Sequence, residues 1–274
     1  MKKGLLLLSV MLMLSMTGCD TEKRKNIVIL IDNSASVAEL SIMNYIKIIE
    51  ETIIPNMTKN DKITILFIDG CSKGLGERIY SFDLADIDFT KPTDGVNHRV
   101  DSADARRKRF LNETVKLEMD STVMAKRKNR LAEGCGQYTD IISTLLEAQL
   151  LVDTEKNYKN KTDKVLNNAN GDDNFEYETC IVIFSDMVNE NAEKTYDFTK
   201  FEQLSDDAIS KKVLALKEQK KIANLENVKV IVDGTTGGEK VKLFWDKYFK
   251  LAGAEVKAYE NDTRLELKKY LVKM

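Results

Sequence analysis

Four short apolar segments, each containing an aspartate at or near its end, set the pattern of this chain. Their sequences are NIVILID, KITILFID, TCIVIFSD and NVKVIVDG, at residues 26–32, 62–69, 179–186 and 227–234. Continuous apolar runs of this length are typical of strands that are buried on both faces, as in a parallel sheet covered by helices on both sides. The pattern therefore predicts four central parallel strands.

Segments with apolar residues at helical spacing lie between these strands, so strands and helices alternate along the chain. The predicted helices cover residues 38–54, about 99–130, 139–152, 206–223, 239–251 and 262–272. An alternation of apolar and polar residues at 77–90 predicts an edge strand or hairpin, and residues 255–260 form a last short strand. This order predicts an α/β fold: a doubly wound, mostly parallel open sheet flanked by helices, with an extra charged helix at 99–130.

One globular domain accounts for residues 26–274, since a hydrophobic content of 43% is sufficient for a single large core. Residues 153–177 are rich in Asn, Lys and Asp and predict a flexible insertion. The charged run RRKR at 106–109 fits either a contact with anionic lipid headgroups or a solvated helix face. The net charge of −2 gives no indication of a nucleic-acid partner.

The N-terminus has the form of an export signal, because Lys2 and Lys3 precede the apolar run LLLLSVMLML, which is too short to span a bilayer. The following SMTGC resembles the lipobox of bacterial lipoproteins. This resemblance implies a signal peptide at 1–18, lipidation of Cys19 and a short tether at 19–25. Two acyl chains anchor a protein stably, so we expect an extracytoplasmic location in the bacterial cell envelope, on an inner or outer membrane. The alternative is an ordinary secretory signal with an incidental cysteine.

Three further cysteines leave an odd number for an exported protein. Cys180 begins an apolar strand, which predicts a buried free thiol. Cys71 and Cys135 lie next to glycines in predicted loops, and the sequence leaves open whether they form a disulfide. The spacing of these cysteines matches no zinc site.

Side chains with oxygen donors follow two of the predicted strands. The first strand ends in IDNSASV, with Asp32, Ser34 and Ser36 at alternate positions. Asp186 ends the third buried strand, which is expected beside the first, and Thr139 opens a helix after the turn EGCGQY. Ligands of such sheets bind at the carboxyl ends of the strands. The five oxygen donors are expected to surround one point, and they suit Mg²⁺, with Mn²⁺ or Ca²⁺ as alternatives, rather than zinc or copper.

This arrangement resembles the von Willebrand factor A domain, which has Asp-x-Ser-x-Ser after its first strand, a Thr-Asp-Ile helix start and a later strand ending in Asp. The resemblance covers essentially the whole mature chain, and it implies a metal-ion-dependent adhesion site. The implied ligands are Asp32, Ser34, Ser36, Thr139 and Asp186. Met187 departs from the pattern, because members of the family often have Gly after the last Asp.

The function that this resemblance implies is a membrane-anchored binding module, not an enzyme. A bound divalent cation would engage an acidic group, Asp or Glu, on an extracytoplasmic protein partner. Two alternatives stay open. In the first, Ser34 and Ser36 only cap the first helix. In the second, the chain is a Mg²⁺-dependent phosphohydrolase similar to the haloacid dehalogenases, which also have an acid after the first strand. That class has a second Asp where this chain has Ser34, so its proton donor is missing here.

Two weaker motifs carry less information. The segment DGTTGGEK at 233–240 differs from a phosphate-binding loop because Glu239 separates the last glycine from the lysine, so we predict a turn between strand and helix. His98 is the sole histidine and lies in a loop with Gly and Asn, which predicts a surface position.

Overall fold

A computed structural model of the chain describes residues 22–71, 78–90, 102–166, 175–191, 198, 200–234 and 237–271. In these parts of the chain, six strands form one sheet. They are β1 (Glu22–Asp32), β2 (Lys62–Ile68), β3 (Tyr80–Asp83), β4 (Phe175–Phe184), β5 (Lys229–Asp233) and β6 (Glu255–Glu260). All four apolar segments are strands of this sheet, and the segment predicted as an edge strand or hairpin contains the edge strand β3.

The strands lie in the order β3-β2-β1-β4-β5-β6, and all neighbours are parallel except β2 and β3. This is the predicted doubly wound α/β architecture. The chain moves from β1 outward to β2 on one side and continues from β4 outward to β6 on the other. The point where the winding direction switches, which is where such folds bind ligands, therefore lies between the carboxyl ends of β1 and β4.

Helices connect the strands and cover the sheet. They are α1 (Glu39–Ile48), α2 (Ala103–Phe110), α3 (Lys116–Ala132), α4 (Ile141–Leu166), α5 (Asp206–Glu218), α6 (Glu239–Ala252) and α7 (Arg264–Leu271). A π turn (Ile49–Ile53) and a 3-10 turn (Ile54–Asn56) extend α1, and a second π turn (Leu111–Val115) joins α2 and α3 into one helical unit. None of the helices in the described ranges has the length and apolar content needed to cross a bilayer.

The hydrophobic core forms two layers, one on each face of the sheet. In β1, Val28 and Leu30 pack with residues of α4, α5 and α6, whereas Ile27, Ile29 and Ile31 pack with residues of α1, the α2–α3 unit and α7. Each of these side chains is at most 1% exposed. Because both faces of the strand are buried, its sequence is a continuous apolar run rather than an alternation.

The α2–α3 unit is the extra charged helix, and it packs on the sheet through a narrow stripe. Leu111, Val115, Met119 and Val123 follow one another at four-residue steps, and all four are fully buried. Four residues exceed one turn of an α-helix by about 40°, so such a stripe would drift around the helix. The π turn contains more residues per turn and counteracts this drift.

Two segments are more regular than their composition indicated. β1 begins at Glu22 rather than at residue 26, because residues 22–25 pair with 175–178 of β4, so the predicted tether at 19–25 is shorter. Helix α4 continues to Leu166 and β4 begins at Phe175, so both enter the predicted flexible insertion at 153–177. Lys and Glu continue an existing helix well without any apolar stripe. The polar composition therefore did not reveal this part of α4.

Candidate metal centre

The carboxylate of Asp32 lies at the switch point between β1 and β4 and is only 1% exposed. One of its oxygens accepts a hydrogen bond from the backbone N–H of Ser34 at 3.0 Å, and the other accepts from the hydroxyl of Ser185 at 2.8 Å. The Ser185 hydroxyl accepts from the backbone N–H of Met187 at 3.0 Å. These bonds fix the side chain of Asp32 and join the loop after β1 to the loop after β4.

The hydroxyls of Ser34 and Ser36 lie together in the loop that follows Asp32, with 2.9 Å between their oxygens. Helix α1 begins only at Glu39, and its N-cap residue, Ala38, makes no side-chain capping bond. The two serine hydroxyls therefore do not cap this helix, and their oxygens face each other instead. Capping accounts for neither of them.

Thr139 lies in a short bridge rather than at the start of a helix. Its backbone N–H and carbonyl each form a 2.9 Å hydrogen bond with the backbone of Glu190, beyond the end of β4. Three residues earlier, the carbonyl of Gly136 accepts from the N–H of Ala35 at 2.8 Å. The segment that carries Thr139 is thus bonded to the loops after both β1 and β4. Helix α4 begins at Ile141, two residues later than predicted.

Side chains from two segments cap the start of α4. Asp140 accepts from the backbone N–H of Ser143 at 3.1 Å, and the side-chain oxygen of Asn189 accepts from the N–H groups of Ile141 and Ile142 at 2.8 and 3.2 Å. Asn189 is fully buried. It follows β4 closely, so its two bonds hold the Thr139 segment against the carboxyl end of that strand. No pattern in the sequence indicated this role of Asn189.

Asp186 follows β4 by two residues and is partly exposed. Its carboxylate accepts from the backbone N–H of Val188 at 2.9 Å, and burial raises its pKa. The next residue, Met187, has a φ of 61°, in the left-handed region that favours glycine. This backbone conformation gives a physical reason why glycine is favourable at this position.

Burial and a neighbouring negative charge both make ionisation of Asp32 costly. Burial raises the pKa of Asp32 to about 6 against the hydrogen bonds from Ser34 and Ser185, and the charge of Asp186 raises it further. Tyr45 of α1 is in the same field, since its pKa is raised to about 12 by burial and then by the charges of Asp32, Asp233 and Asp186. The Tyr45 phenol therefore lies in the field of three aspartates and stays protonated at neutral pH.

The other two strand-end aspartates, Asp69 and Asp233, differ from each other in the charge of their partners. Asp69, after β2, forms a two-oxygen ion pair with Arg130 at 2.8 and 2.6 Å. Asp233, at the end of β5, accepts from the N–H and hydroxyl of Thr263 at 2.8 and 2.9 Å. Within the described ranges, no ion pair reaches Asp32 or Asp186. Within the described residues, Asp69 alone of the four is neutralised by a basic side chain, whereas Asp32, Asp186 and Asp233 accept from neutral donors. Asp32 and Asp186 are the two that lie on the loops joined at the switch point.

A disulfide joins two loops beside this centre. Cys71, after β2, is bonded to Cys135, four residues before Thr139, with 5.1 Å between their Cα atoms. This answers the question that the sequence left open. Cys180 is a buried free thiol, as predicted, and burial raises its pKa.

The weaker sequence motifs have ordinary structural roles. In the charged run, Arg106 donates to the carbonyls of Phe89 and Thr90, and Arg107 and Lys108 form ion pairs with Asp104. Part of the run's charge is thus satisfied within the protein. The segment at 233–240 connects β5 to α6, as predicted, whereas His98 and Cys19 lie outside the described residues.

The donor set fits a small hard cation. Two carboxylates that form no ion pair with any described residue lie with neutral hydroxyls on loops that are bonded to one another. Oxygen is the donor that Mg²⁺ and Ca²⁺ prefer. The described part of the chain contains no cluster of three or more His, Cys, Asp or Glu side chains suited to a metal. The proposed site contains only two such side chains, because its other donors are neutral hydroxyls.

Comparison of the chain with protein-family models and with curated proteins found no match.

Proposed function

We propose that this protein is a membrane-anchored binding module that uses a bound divalent cation to engage an acidic group on an extracytoplasmic protein partner. The proposal follows the resemblance to the von Willebrand factor A domain. The residues that would hold the cation are Asp32, Ser34, Ser36, Thr139 and Asp186. Mg²⁺ is the first choice of ion, with Mn²⁺ and Ca²⁺ as alternatives.

The observation that carries the proposal is the buried carboxylate of Asp32, which forms no ion pair within the described residues. A buried carboxylate with a pKa of about 6 is costly to ionise, and the negative charge of Asp186 adds to that cost. A divalent cation would remove this cost, because it stabilises the ionised form of both groups. The contrast with Asp69, whose charge is paired with Arg130 on the same edge, supports a role for this pair beyond stability.

The proposed ligands would leave the cation able to bind a further ligand from outside the protein. Hydroxyl donors are neutral, so two carboxylates supply only two negative charges. When bound, the ion would act as a Lewis acid that attracts a carboxylate from outside. The chain's own residues bind the ion and orient it toward the surface, where Ser36 is exposed.

The anchor of the proposed module is the lipid on Cys19, which lies three residues before the start of β1. Strand β1 is 11 residues long, so its ends are roughly 35 Å apart at about 3.3 Å per residue. The anchor and the candidate metal centre belong to opposite ends of this strand. In the proposed arrangement the centre is held well away from the bilayer, where it can meet a soluble or neighbouring partner.

The test is a calorimetric titration with Mg²⁺ and Mn²⁺ of a chain that begins at Asp20 and so retains every described residue. We expect one binding event in the wild type and its loss in Asp32→Ala. The matched control is Asp233→Asn, which alters a carboxylate on the same edge while keeping an oxygen that can accept from Thr263. Equal heats for the wild type and Asp32→Ala would refute the proposed site.

The phosphohydrolase interpretation is tested with the same proteins and a generic aryl phosphate. Ser34 stands where that class has its acid, and a neutral serine hydroxyl does not replace a carboxylic acid as the proton donor. We therefore expect no turnover. Mg²⁺-dependent turnover that disappears in Asp32→Ala would contradict the binding-module proposal.

A further inference from the structure

The buried stripe of the α2–α3 unit changes from apolar residues to arginines where it reaches the candidate metal centre. The four-residue steps that begin at Leu111 continue beyond Val123 to Arg127, and Arg130 follows three residues later. These arginines are only 6% and 9% exposed. Arginine side chains are almost never this buried unless they are paired. Their contacts therefore indicate what the end of α3 does.

Arg127 binds both ends of the loop that carries the serine hydroxyls. One of its terminal nitrogens donates to the side-chain oxygen of Asn33 at 2.9 Å, and the other donates to the backbone carbonyl of Val37 at 3.0 Å. Ser34 and Ser36 lie between these two acceptors. A planar guanidinium is suited to this task because its donors have a fixed geometry.

Asn33 is held from three directions. Besides accepting from Arg127, its side-chain nitrogen donates to Asp69 at 3.2 Å, and its backbone N–H donates to the carbonyl of Ile68 at 2.9 Å. Asp69 is itself held by Arg130. Helix α3 thus reaches the loop directly through Arg127 and indirectly through the pair of Arg130 and Asp69.

We propose that Arg127 is a positioning residue that holds loop 33–37 in the conformation that presents Ser34 and Ser36 to the cation. The consequence for cation binding rests on the proposed function. A loop that is already ordered loses less conformational entropy when it binds a ligand. Groups that orient metal ligands commonly change the affinity for the metal by 10–100-fold when they are removed.

The charge of Arg127 has the opposite effect on affinity. The guanidinium lies in the field of Asp32 and Glu39, so it repels a cation bound at the same edge. Its hydrogen bonds are made to the neutral acceptors Asn33 and Val37, whereas neither carboxylate of the centre is its hydrogen-bond partner. We therefore expect positioning to outweigh repulsion, and removal of Arg127 to weaken cation binding.

The experiment measures loop order and cation affinity separately in Arg127→Met, Arg127→Lys and a control. Lysine can donate to one acceptor but cannot span both in a fixed plane. The control is Arg106→Met, since Arg106 also donates to two backbone carbonyls, of Phe89 and Thr90, from the same helical unit. Loop order is measured by hydrogen exchange of the backbone amides of 33–37 in cation-free protein, and affinity by titration with Mn²⁺.

Hydrogen exchange reports on the order of this loop because most of its backbone N–H groups are hydrogen-bonded and exchange only when those bonds open. The N–H groups of Asn33, Ser34, Ala35 and Val37 donate to the Ile68 carbonyl, the Asp32 carboxylate, the Gly136 carbonyl and the Ser34 carbonyl, respectively. We expect at least tenfold faster exchange in Arg127→Met, with Arg127→Lys between it and the wild type. We also expect Mn²⁺ affinity to fall about tenfold in Arg127→Met and to stay unchanged in Arg106→Met.

The outcomes separate this inference from the proposed function. If the wild type binds Mn²⁺ and the Arg127 variants bind it equally or more tightly, the positioning role in cation binding is refuted. If the wild type binds no cation, the proposed function fails, and hydrogen exchange alone decides whether Arg127 orders the loop. Unchanged exchange in both Arg127 variants would overturn that part as well. Should Arg127→Met not fold, Arg127→Lys decides through the same two measurements.

Discussion

Replacing Asp32 by asparagine should stabilise the cation-free protein at neutral pH, although the residue is buried and hydrogen-bonded at both oxygens. Asparagine has nearly the same shape and can still accept from the N–H of Ser34. Its amide nitrogen faces the hydroxyl of Ser185, which can accept a hydrogen bond. The substitution therefore removes the cost of the buried charge while it keeps most of the local geometry.

The magnitude follows from the pKa of Asp32. Burial raises that pKa from 3.8 to about 6 in the folded protein. Between these values the unfolded chain releases its proton before the folded protein does, so rising pH favours unfolding. Two pKa units correspond to about 3 kcal/mol, which is absent below about pH 4 and fully present above about pH 6. We expect Asp32→Asn to gain about 1–3 kcal/mol at pH 7.5, because the amide does not reproduce every hydrogen bond.

The assay is thermal unfolding of the wild type and Asp32→Asn from pH 4 to 8, with and without Mg²⁺. In chelator at pH 7.5 the variant should unfold roughly 3–10 °C higher, at about 2–4 °C per kcal/mol for a chain of this size. Mg²⁺ at 100 times its dissociation constant should stabilise the wild type by about 3 kcal/mol and leave the variant unchanged. In Mg²⁺ the wild type should therefore unfold at the same temperature as the variant or at a higher one.

Two results would refute this reasoning. A difference between wild type and variant that does not change between pH 4 and 8 would show that ionisation of Asp32 carries no cost in the folded state. A variant that is less stable than the wild type in chelator at pH 7.5 would show that the lost hydrogen bonds outweigh the relieved charge.

Three further substitutions test other parts of the structure. Replacing Cys71 and Cys135 by serine opens a loop closed across 64 residues and should lower the free energy of unfolding in urea by about 4 kcal/mol; a loss below about 1 kcal/mol would argue against the disulfide. Met187→Gly relieves a positive φ but removes a fully buried side chain, so we expect the free energy of unfolding to fall by about 2 kcal/mol. An increase would mean that backbone strain outweighs packing at this position. Arg130→Met leaves the carboxylate of Asp69 buried without its partner and should cost about 3–5 kcal/mol, whereas adding Asp69→Asn should recover much of that loss; no recovery would rule out an uncompensated charge as the cause.

The sheet could be predicted from the sequence because burial on both faces leaves a pattern that depends on neighbouring residues alone. Continuous apolar runs identified the central strands, and their alternation with helical segments gave the doubly wound arrangement. The beginning of β1 could not be predicted in the same way. Residues 22–25 are polar and form a strand only because β4 pairs with them.

Part of the candidate metal centre was also predictable, since the ends of parallel strands meet at one edge whatever their loops contain. The supporting groups were not. Arg127 continues the four-residue stripe of α3, so its burial had a signal in the spacing, but an arginine at such a position usually indicates the end of a buried stripe. Its acceptor Asn33 is 94 residues away along the chain, and spacing within a helix gives no information on such a contact.

The sequence by itself determined that four aspartates would stand at or just beyond the ends of four adjacent strands, because each follows a buried apolar run. Only the tertiary structure decided which partners each of them has. Asp69 is neutralised by Arg130, 61 residues away, and Asp233 is bonded to Thr263, 30 residues away. Within the part of the chain that the structure describes, neither Asp32 nor Asp186 forms an ion pair like that of Asp69. The physical reason is that charge compensation depends on which distant segments the fold brings to the same edge.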